Sequence, residues 1–525
     1  MCGIAGIWGE PDEALVQTMI SRLTHRGPDA EGLHSSVSGT LGHRRLSIMD
    51  PAGGNQPLHT SDGKHTLIAN GEIYNHPALR KTLAQRHTYR TGSDSESALH
   101  LFTEQGPGGV AELDGMFALV IADEEALFLA RDPVGIKPLY TGSMDGRMVF
   151  ASELKALAGI AKSVRPFPPG TWYHSSVGFQ RYYDLPPVNG GEEEEAEGRG
   201  VKNSVRWKNG GRPGERETAV AARAVREALE QAVGKRLMTD VPLGAFLSGG
   251  LDSSLVAALA RRHVDRLHTF AVGFEGSPDL EAARLVARHL DTIHHEVLFD
   301  EADVAERLPE ILFHLESFDP DLVRSAVPCD FVSRLASEEV KVVLTGEGAD
   351  ELFAGYRYYE DIAEPEELQA ELRRSVGAMH ELNLRRVDRM TMAHGLEGRV
   401  PFLDTEMIEL ALRLPAALKL PRGNGQAATE KWVLRKAAEG LLPEEVVWRK
   451  KVQFDEGSGM VPVLQAVTKA VLPPEAAAAH RDAHSDTGLR SDEECAYHKL
   501  LGDAFPDPGI VFDNAPRWID GRGDA

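Results

Sequence analysis

The sequence predicts two α/β domains. A layered α/β or α+β domain covers residues 2–185, and a doubly wound parallel-sheet domain with a helical C-terminal part covers 218–525. Three observations carry this. Short apolar runs bounded by Gly, Asp and Asn fill the first third. A strand–helix–strand alternation begins after residue 218. Between the two, residues 186–217 give up apolar content to Pro, Gly and charge, which reads as an acidic, Gly-rich linker or insertion. The length of 525 residues sets a soft expectation of three or four domains and allows two large ones.

In chain order, "CGIAGIW", "GTLGHRRLSIMD", "HTLIAN", "GMFALVIAD", "ALFLARD" and "RMVFAS" read as strands. "DSESALHLFTEQG" reads as a helix with Asp94 or Ser95 near its cap. In the second domain "PLGAFLS", "LHTFAVGF", "HHEVLF" and "VKVVLTG" are strands, and "DSSLVAALARR" and "DLEAARLVARHL" are the helices between them. From about residue 360 onward the pattern is mostly helical. The run Glu192–Glu195 in the insertion reads as solvated charge.

Composition narrows the function. The 57 basic and 80 acidic residues give a formal charge of −23, against a general nucleic-acid binder, which carries a basic patch. No run of 18 apolar residues predicts a membrane span, and no basic segment followed by an apolar stretch marks a signal peptide. Cys2, Cys329 and Cys495 form neither a disulfide framework nor a metal-ligand spacing, which fits a reducing, cytoplasmic setting. His294 and His295 in "TIHHEV" lack further ligands at zinc spacing and read as strand-end packing. Tyr356, Tyr358 and Tyr359 read as core and interface.

The strongest local signal is "SGGLDSS", Ser248–Ser254, at a strand-to-helix junction. Ser248, Gly249 and Gly250 let the backbone approach an anion closely and point N–H groups at it. The following helix directs its positive end to the same place, and Ser253 and Ser254 add hydroxyl donors. Asp252 is out of place in a purely anionic site unless it helps to hold a magnesium ion. The G-x-x-x-x-G-K-[ST] nucleotide loop is absent from the sequence.

"SGGLDSS" resembles the pyrophosphate loop of ATP pyrophosphatases. "DVPLGAFLSGGLDSSLVAALA", with "FAVGFEGSPDLEAARLVA" and "VVLTGEGADELFAGY", resembles the glutamine-hydrolysing asparagine synthetases, through both domains and outside the acidic insertion and parts of the C-terminal tail. The resemblance implies an N-terminal-nucleophile hydrolase sandwich (αββα) followed by the ATP-pyrophosphatase domain. It implies conversion of aspartate to asparagine with ATP and glutamine through β-aspartyl-AMP. An amidotransferase acting on another carboxylate is the alternative, because "ESFDPDLVRSAVPCDF" differs from the expected stretch beside the acceptor site.

That resemblance gives Cys2 its role. Met before a small residue is readily trimmed, so Cys2 can become residue one, its thiol the nucleophile and its own α-amino group the base. An α-amino pKa of about 7.7–8.0 suits that proton transfer. By resemblance Arg45 takes the glutamine carboxylate with its planar fork, and Asp94 takes the ammonium. Asn70 and Gly71 form the oxyanion hole, and Glu72 lines the pocket. "HRGPD", residues 25–29, matches the family too and reads as a structural loop.

For the synthetase half, the resemblance places adenine and ribose against main chain near Leu247, Val272, Gly273, Thr345 and Gly346. It gives the Mg2+ to Asp252 and Asp350, phosphate charge to Lys451, an adenylate contact to Arg324, and general-base work in amide formation to Glu347. The expected ligands are small molecules: glutamine, aspartate and ATP. An apolar ammonia channel between the domains is implied, and a homodimer is one expected assembly.

Overall fold

The structure, a computed structural model, describes residues 1–188, 214–422, 428–450 and 459–517. Most of the insertion read at 186–217 lies outside the described residues, as does Lys451.

The N-terminal region holds two six-stranded antiparallel sheets. One runs in the order Lys162–Pro166, Tyr140–Met144, Arg147–Ala151, Cys2–Trp8, Gly39–Arg45, Ala30–Ser36. The other runs Gly178–Arg181, Thr171–His174, Leu127–Arg131, Gly115–Ala122, Thr66–Ile73, Leu58–His59. The side-chain period of two explains the continuous apolar runs, because both faces of each sheet are covered. Even-numbered Ile68, Ala118 and Val120 face the opposite sheet together with Ile4, Leu41 and Phe150. Odd-numbered Leu67, Ala69, Phe117 and Leu119 pack instead with Leu99 and Leu101 of the helix Ser95–Gln105. Ala5 and Ile7 pack with Val16, Met19 and Ile20 of the helix Glu13–Ser21. The layers are therefore αββα.

The same alternation sets up chemistry. Cys2 shares parity with Ile4, Asn70 and Glu72 with Ile68, and Arg45 with Leu41. All four therefore project between the two sheets. Cys2 pairs with Arg45 across the antiparallel ladder.

The second sheet system is parallel, in the order Ile293–Leu298, His268–Gly273, Leu243–Phe246, Val342–Leu344, Glu397–Arg399. Glu397–Arg399 lies in the stretch read from sequence as helical. Three residues, two of them charged, make no apolar run, so only pairing with Val342–Leu344 makes them a strand. The strand order reverses between Leu243–Phe246 and Val342–Leu344, and at such a switch point the loops leaving the two carboxyl ends diverge and open a crevice. Those loops are Leu247–Gly250 and Thr345–Gly348. His294 and His295 sit in an edge strand, where His295 stacks on His268 and Phe270. Tyr359 is buried in the core, and Tyr356 and Tyr358 pack against that core where it meets a cavity.

Candidate functional site

The thiol centre is closed. The Cys2 backbone N–H donates to Asn70 Oδ1 at 2.9 Å. Asn70 is fully buried, and its Nδ2 has no hydrogen-bond partner among the described residues. An orphaned buried amide donor costs about 1–3 kcal/mol, a cost that a bound oxyanion would remove. Gly71 next to it has φ +150°, and a Cβ there would stand 1.9 Å from the Met116 carbonyl oxygen, so no side chain is tolerated. Burial pushes the Cys2 thiol up, against the pull of the neighbouring ammonium, so at neutral pH it stays protonated without a base.

Asp94 stands at the N-terminus of the helix Ser95–Gln105 but makes no side-chain cap bond there. Its Oδ2 instead accepts the Ile73 N–H at 2.5 Å, and burial pushes its pKa up to about 6. Burial, with Glu397 and Asp94 nearby, holds Glu72 well above the usual carboxylate range. Arg45 spends both terminal nitrogens on the 49–55 loop. Nη1 donates to Pro51 O and Asn55 Oδ1, and Nη2 to Met49 O and Asp50 O, at 2.7–3.1 Å.

Sequence reasoning missed the residues that close this centre from the other domain. Arg399 Nη2 lies 3.7 Å from Glu72 Oε2, and Arg399 Nε donates to Glu397 Oε1 at 2.6 Å. The Met1 ammonium sits 3.0 Å from Glu397 Oε2, both fully buried. Arg26 of "HRGPD", read as belonging to a structural loop, is also fully buried. Its Nε donates to Cys2 O at 3.0 Å and its Nη1 to Glu153 Oε1 and Asp388 Oδ2 at 2.6 and 2.7 Å. Arg389 then joins Glu153 to Glu316. This ion network spans both domains beside the strand Cys2–Trp8.

The second centre is an open cavity of about 610 Å³ at the switch point. Leu247, Ser248, Asp252, Ser253, Val272, Thr345, Gly346, Glu347 and Asp350 line it, together with Arg386. Gly249, Gly250, Ser254 and Gly273 build its frame without lining it. Gly249 has φ +71°, and a Cβ would collide with Ala282 and Ala283 at 2.5 Å. Ser248 Oγ and Ser253 Oγ lie 3.0 Å apart across the loop. A Cβ on Gly346 would meet Asp252 Cβ and Ser253 N at 2.9 Å, so glycine is what lets this loop reach the helix N-terminus. Glu347 accepts a hydrogen bond from Arg386. Cys329 also lines the cavity, and burial pushes its thiol up to about 12, so it is no second nucleophile.

Asp252 and Asp350 converge on one positive charge. Lys431 Nζ lies 2.5 Å from Asp252 Oδ2 and 2.6 Å from Asp350 Oδ1, and the lysine is buried. Its backbone is left-handed at φ 55°, a strained geometry for a side-chain-bearing residue. Two hard carboxylate oxygens sharing one cation are a donor set suited to Mg2+, which takes one or two protein carboxylates and completes its shell with phosphate and water. Arg324 is placed differently from the reading by resemblance. Its guanidinium turns from the cavity to Glu493, with Nε to Oε1 at 3.0 Å and Nη2 to Oε2 at 2.6 Å. No local motif announces Lys431 or Arg399, and "HRGPD" marks Arg26 without saying what it binds. Each meets a carboxylate far along the chain: Asp252 for Lys431, Asp388 for Arg26 and Glu72 for Arg399.

Comparison with known proteins gives one answer across both centres. A family profile described as a glutamine amidotransferase domain matches residues 1–167, and one described as asparagine synthase matches 224–370 and 360–481. The chain is 40% identical over 483 residues to a glutamine-hydrolyzing asparagine synthetase of Triphysaria versicolor, covering 87% of this chain and 78% of that one. It is 41% identical over 482 residues to glutamine-hydrolyzing asparagine synthetase 3 of Arabidopsis thaliana, covering 87% and 79%. A probable glutamine-hydrolyzing asparagine synthetase of Dictyostelium discoideum is 37% identical over 554 aligned positions, 99% of this chain and 96% of that one.

Proposed function

Because the chain belongs to the family of glutamine-hydrolysing asparagine synthetases, we propose how its own residues divide the work of making asparagine from aspartate, ATP and glutamine. Trimming of Met1 turns the Cys2 amide N–H into an amine already positioned on Asn70 Oδ1. Met1 is 1% exposed, so the trimming acts before the fold closes. The amine takes the thiol proton, and Sγ attacks the glutamine amide carbon. Asn70 Nδ2 and the Gly71 N–H hold the oxyanion, the amine passes that proton to the amide nitrogen, ammonia leaves as the carbonyl re-forms, and water releases glutamate from the thioester. Asp94, as carboxylate, receives the substrate ammonium, Arg45 serves the α-carboxylate, and Glu72 shapes the pocket.

In the cavity, adenine and ribose lie against Leu247, Val272, Gly273, Thr345 and Gly346. The loop Ser248–Ser254 cradles the pyrophosphate, with Lys451 adding charge. Asp252 and Asp350 would hold Mg2+, and the ion would supply positive charge to the phosphate oxygens. The aspartate β-carboxylate attacks the α-phosphorus, the bond to the β-phosphate breaks, and pyrophosphate departs. Ammonia then attacks the acyl carbon, Glu347 accepts a proton from it, and AMP leaves. Arg324 acts on the adenylate only after exchanging Glu493. The isolated, buried cysteines fit a cytoplasmic setting. Among the described residues no helix is long and apolar enough to cross a membrane.

The observation that carries this reading is the single cavity in which Ser248, Asp252, Gly346, Glu347 and Asp350 meet. The test offers ATP, Mg2+ and glutamine with a panel of carboxylic acids. Aspartate gives pyrophosphate, AMP and asparagine in equal amounts. Pyrophosphate release with a different acid and none with aspartate overturns the assignment.

A further inference from the structure

The C-terminal helices carry a cluster of histidines that neither active centre uses. His480 lies on the helix Pro474–Ala483, His484 caps its C-terminus, and His498 lies on the helix Asp492–Ala504. One ligand atom from each lies within 4.8 Å of the other two. His480 and His484, one turn apart, present both rings to the facing helix, which supplies the third. His480 Nε2 and His498 Nδ1 already face each other at 3.0 Å. Tetrahedral zinc with Zn–N bonds of 2.0–2.1 Å separates its nitrogen ligands by about 3.3 Å, so His480 and His498 need open by only a few tenths of an ångström, while the His484 ring, within 4.8 Å of both, swings in to complete the set.

The outer contacts are those of a ligand set. His484 Nδ1 donates to the His480 carbonyl at 2.9 Å, which directs its other nitrogen outward as the ligand atom. His498 is buried, stacked on Phe512 at 4.1 Å and edge-on to Phe318 at 5.1 Å, so its ring is fixed. Burial lowers the pKa of His480, and lowers that of His498 to about 4, which keeps both rings neutral and able to coordinate at physiological pH.

We propose that His480, His484 and His498 form a transition-metal site, with Zn2+ as its expected ion, that clamps the two C-terminal helices together. Neutral imidazole suits this class of ion and not Mg2+. Binding replaces the ring-to-ring hydrogen bond. The proton between His480 and His498 moves to the outer nitrogen of the ring that carried it, so no proton is released. His480 and His484 are only half-buried, so a water completes the shell. The clamped helix is the one whose Glu493 holds Arg324, so the ion would steady that pair.

The test is equilibrium dialysis of the full chain against Zn2+ at buffered free concentrations, with Co2+ absorption as a report of nitrogen coordination. His480→Gln and His484→Gln are the working variants, because both positions are half-exposed and tolerate a polar side chain. His268→Asn controls for the second cluster, His268 with His295 and Glu339. The expected result is one ion per chain, lost or weakened about 100-fold or more in either working variant and retained in the control. A Zn2+-dependent rise in melting temperature should vanish with it. Binding of equal strength and number in wild type and His480→Gln/His484→Gln overturns the proposal, as does the absence of tight binding in wild type.

Discussion

At Cys2 the protein itself holds nearly every group that would grip substrate. Arg45 is tied to a loop, Asp94 to Ile73, and Asn70 to the nucleophile's own backbone, and Glu397 and Arg399 of the other domain seal the centre. The nucleotide cavity is the opposite. It is wide, its lining residues between Phe246 and Val387 all come from one domain, and its acidic pair waits on a lysine. A glutaminase handles a small zwitterion and must keep ammonia from water, so a rigid buried frame serves it. The synthetase half must admit ATP and aspartate and then release pyrophosphate, AMP and asparagine, so it keeps volume and an exchangeable countercharge. The lesson is that the glutamine centre depends on the domain interface for its integrity, and the ATP centre does not.

Four experiments break or sharpen that contrast. The largest effect is expected of Cys2→Ala. Glutamine-driven synthesis falls by about 10⁴-fold or more, whereas ammonia-driven synthesis stays within about twofold, read from steady-state rates with each nitrogen source. Loss of both would mean that the ATP centre leans on the thiol centre after all. Next comes Gly346→Ala, whose new Cβ pushes Asp252 and Ser253 off position. Synthesis should drop about 10³-fold with either nitrogen source while glutamine hydrolysis continues, measured as glutamate release.

Arg26→Ala should be the largest structural insult. It removes one of the two cations that Glu153 and Asp388 share, leaving them Arg389, and it removes a bond to Cys2 O, a loss of about 1.5–3 kcal/mol. Urea unfolding should show it, and glutamine hydrolysis should become uncoupled from asparagine formation more than ammonia use is slowed. An Arg26→Ala protein as stable as wild type would mean that the interface network does not hold the thiol centre together.

The smallest effect is in pH. Asp94 has a pKa raised to about 6 by burial, so below that it becomes a neutral acid and, in the proposed role, would no longer attract the substrate ammonium. The kcat/KM for glutamine hydrolysis, already falling about tenfold per unit below the α-amino pKa of about 7.7–8.0, should steepen to about a hundredfold per unit below about 6, and Asp94→Asn should remove that steepening. The sign for stability is the reverse. Because the folded pKa lies above the unfolded one, ionised Asp94 costs stability as pH rises toward 6, and Asp94→Asn relieves that cost above it.

Much of the fold and of both centres is legible in the residues alone. Short continuous apolar runs mark six of the N-terminal strands, and strand–helix alternation marks the parallel sheet. "SGGLDSS" puts an anion loop at a strand's end. What stays hidden follows one pattern. Glu397–Arg399 is too short and too charged to read as a strand, yet it pairs in register with Val342–Leu344 and delivers two residues to the thiol centre. Asp94 looks like a helix cap and spends its carboxylate elsewhere. Arg324 turns toward a helix from the far C-terminus.

By itself, then, the sequence determined what is local: the period of each strand, the parity that sends Cys2, Arg45, Asn70 and Glu72 between the sheets, and the glycines that let backbone approach an anion. Only the tertiary structure decided which charges meet. Lys431 joins Asp252 across 179 residues and Arg26 joins Asp388 across 362. Short-range periodicity carries no record of such pairs. They form because a buried charge without a partner is too costly to keep, and the fold alone determines which partner is within reach.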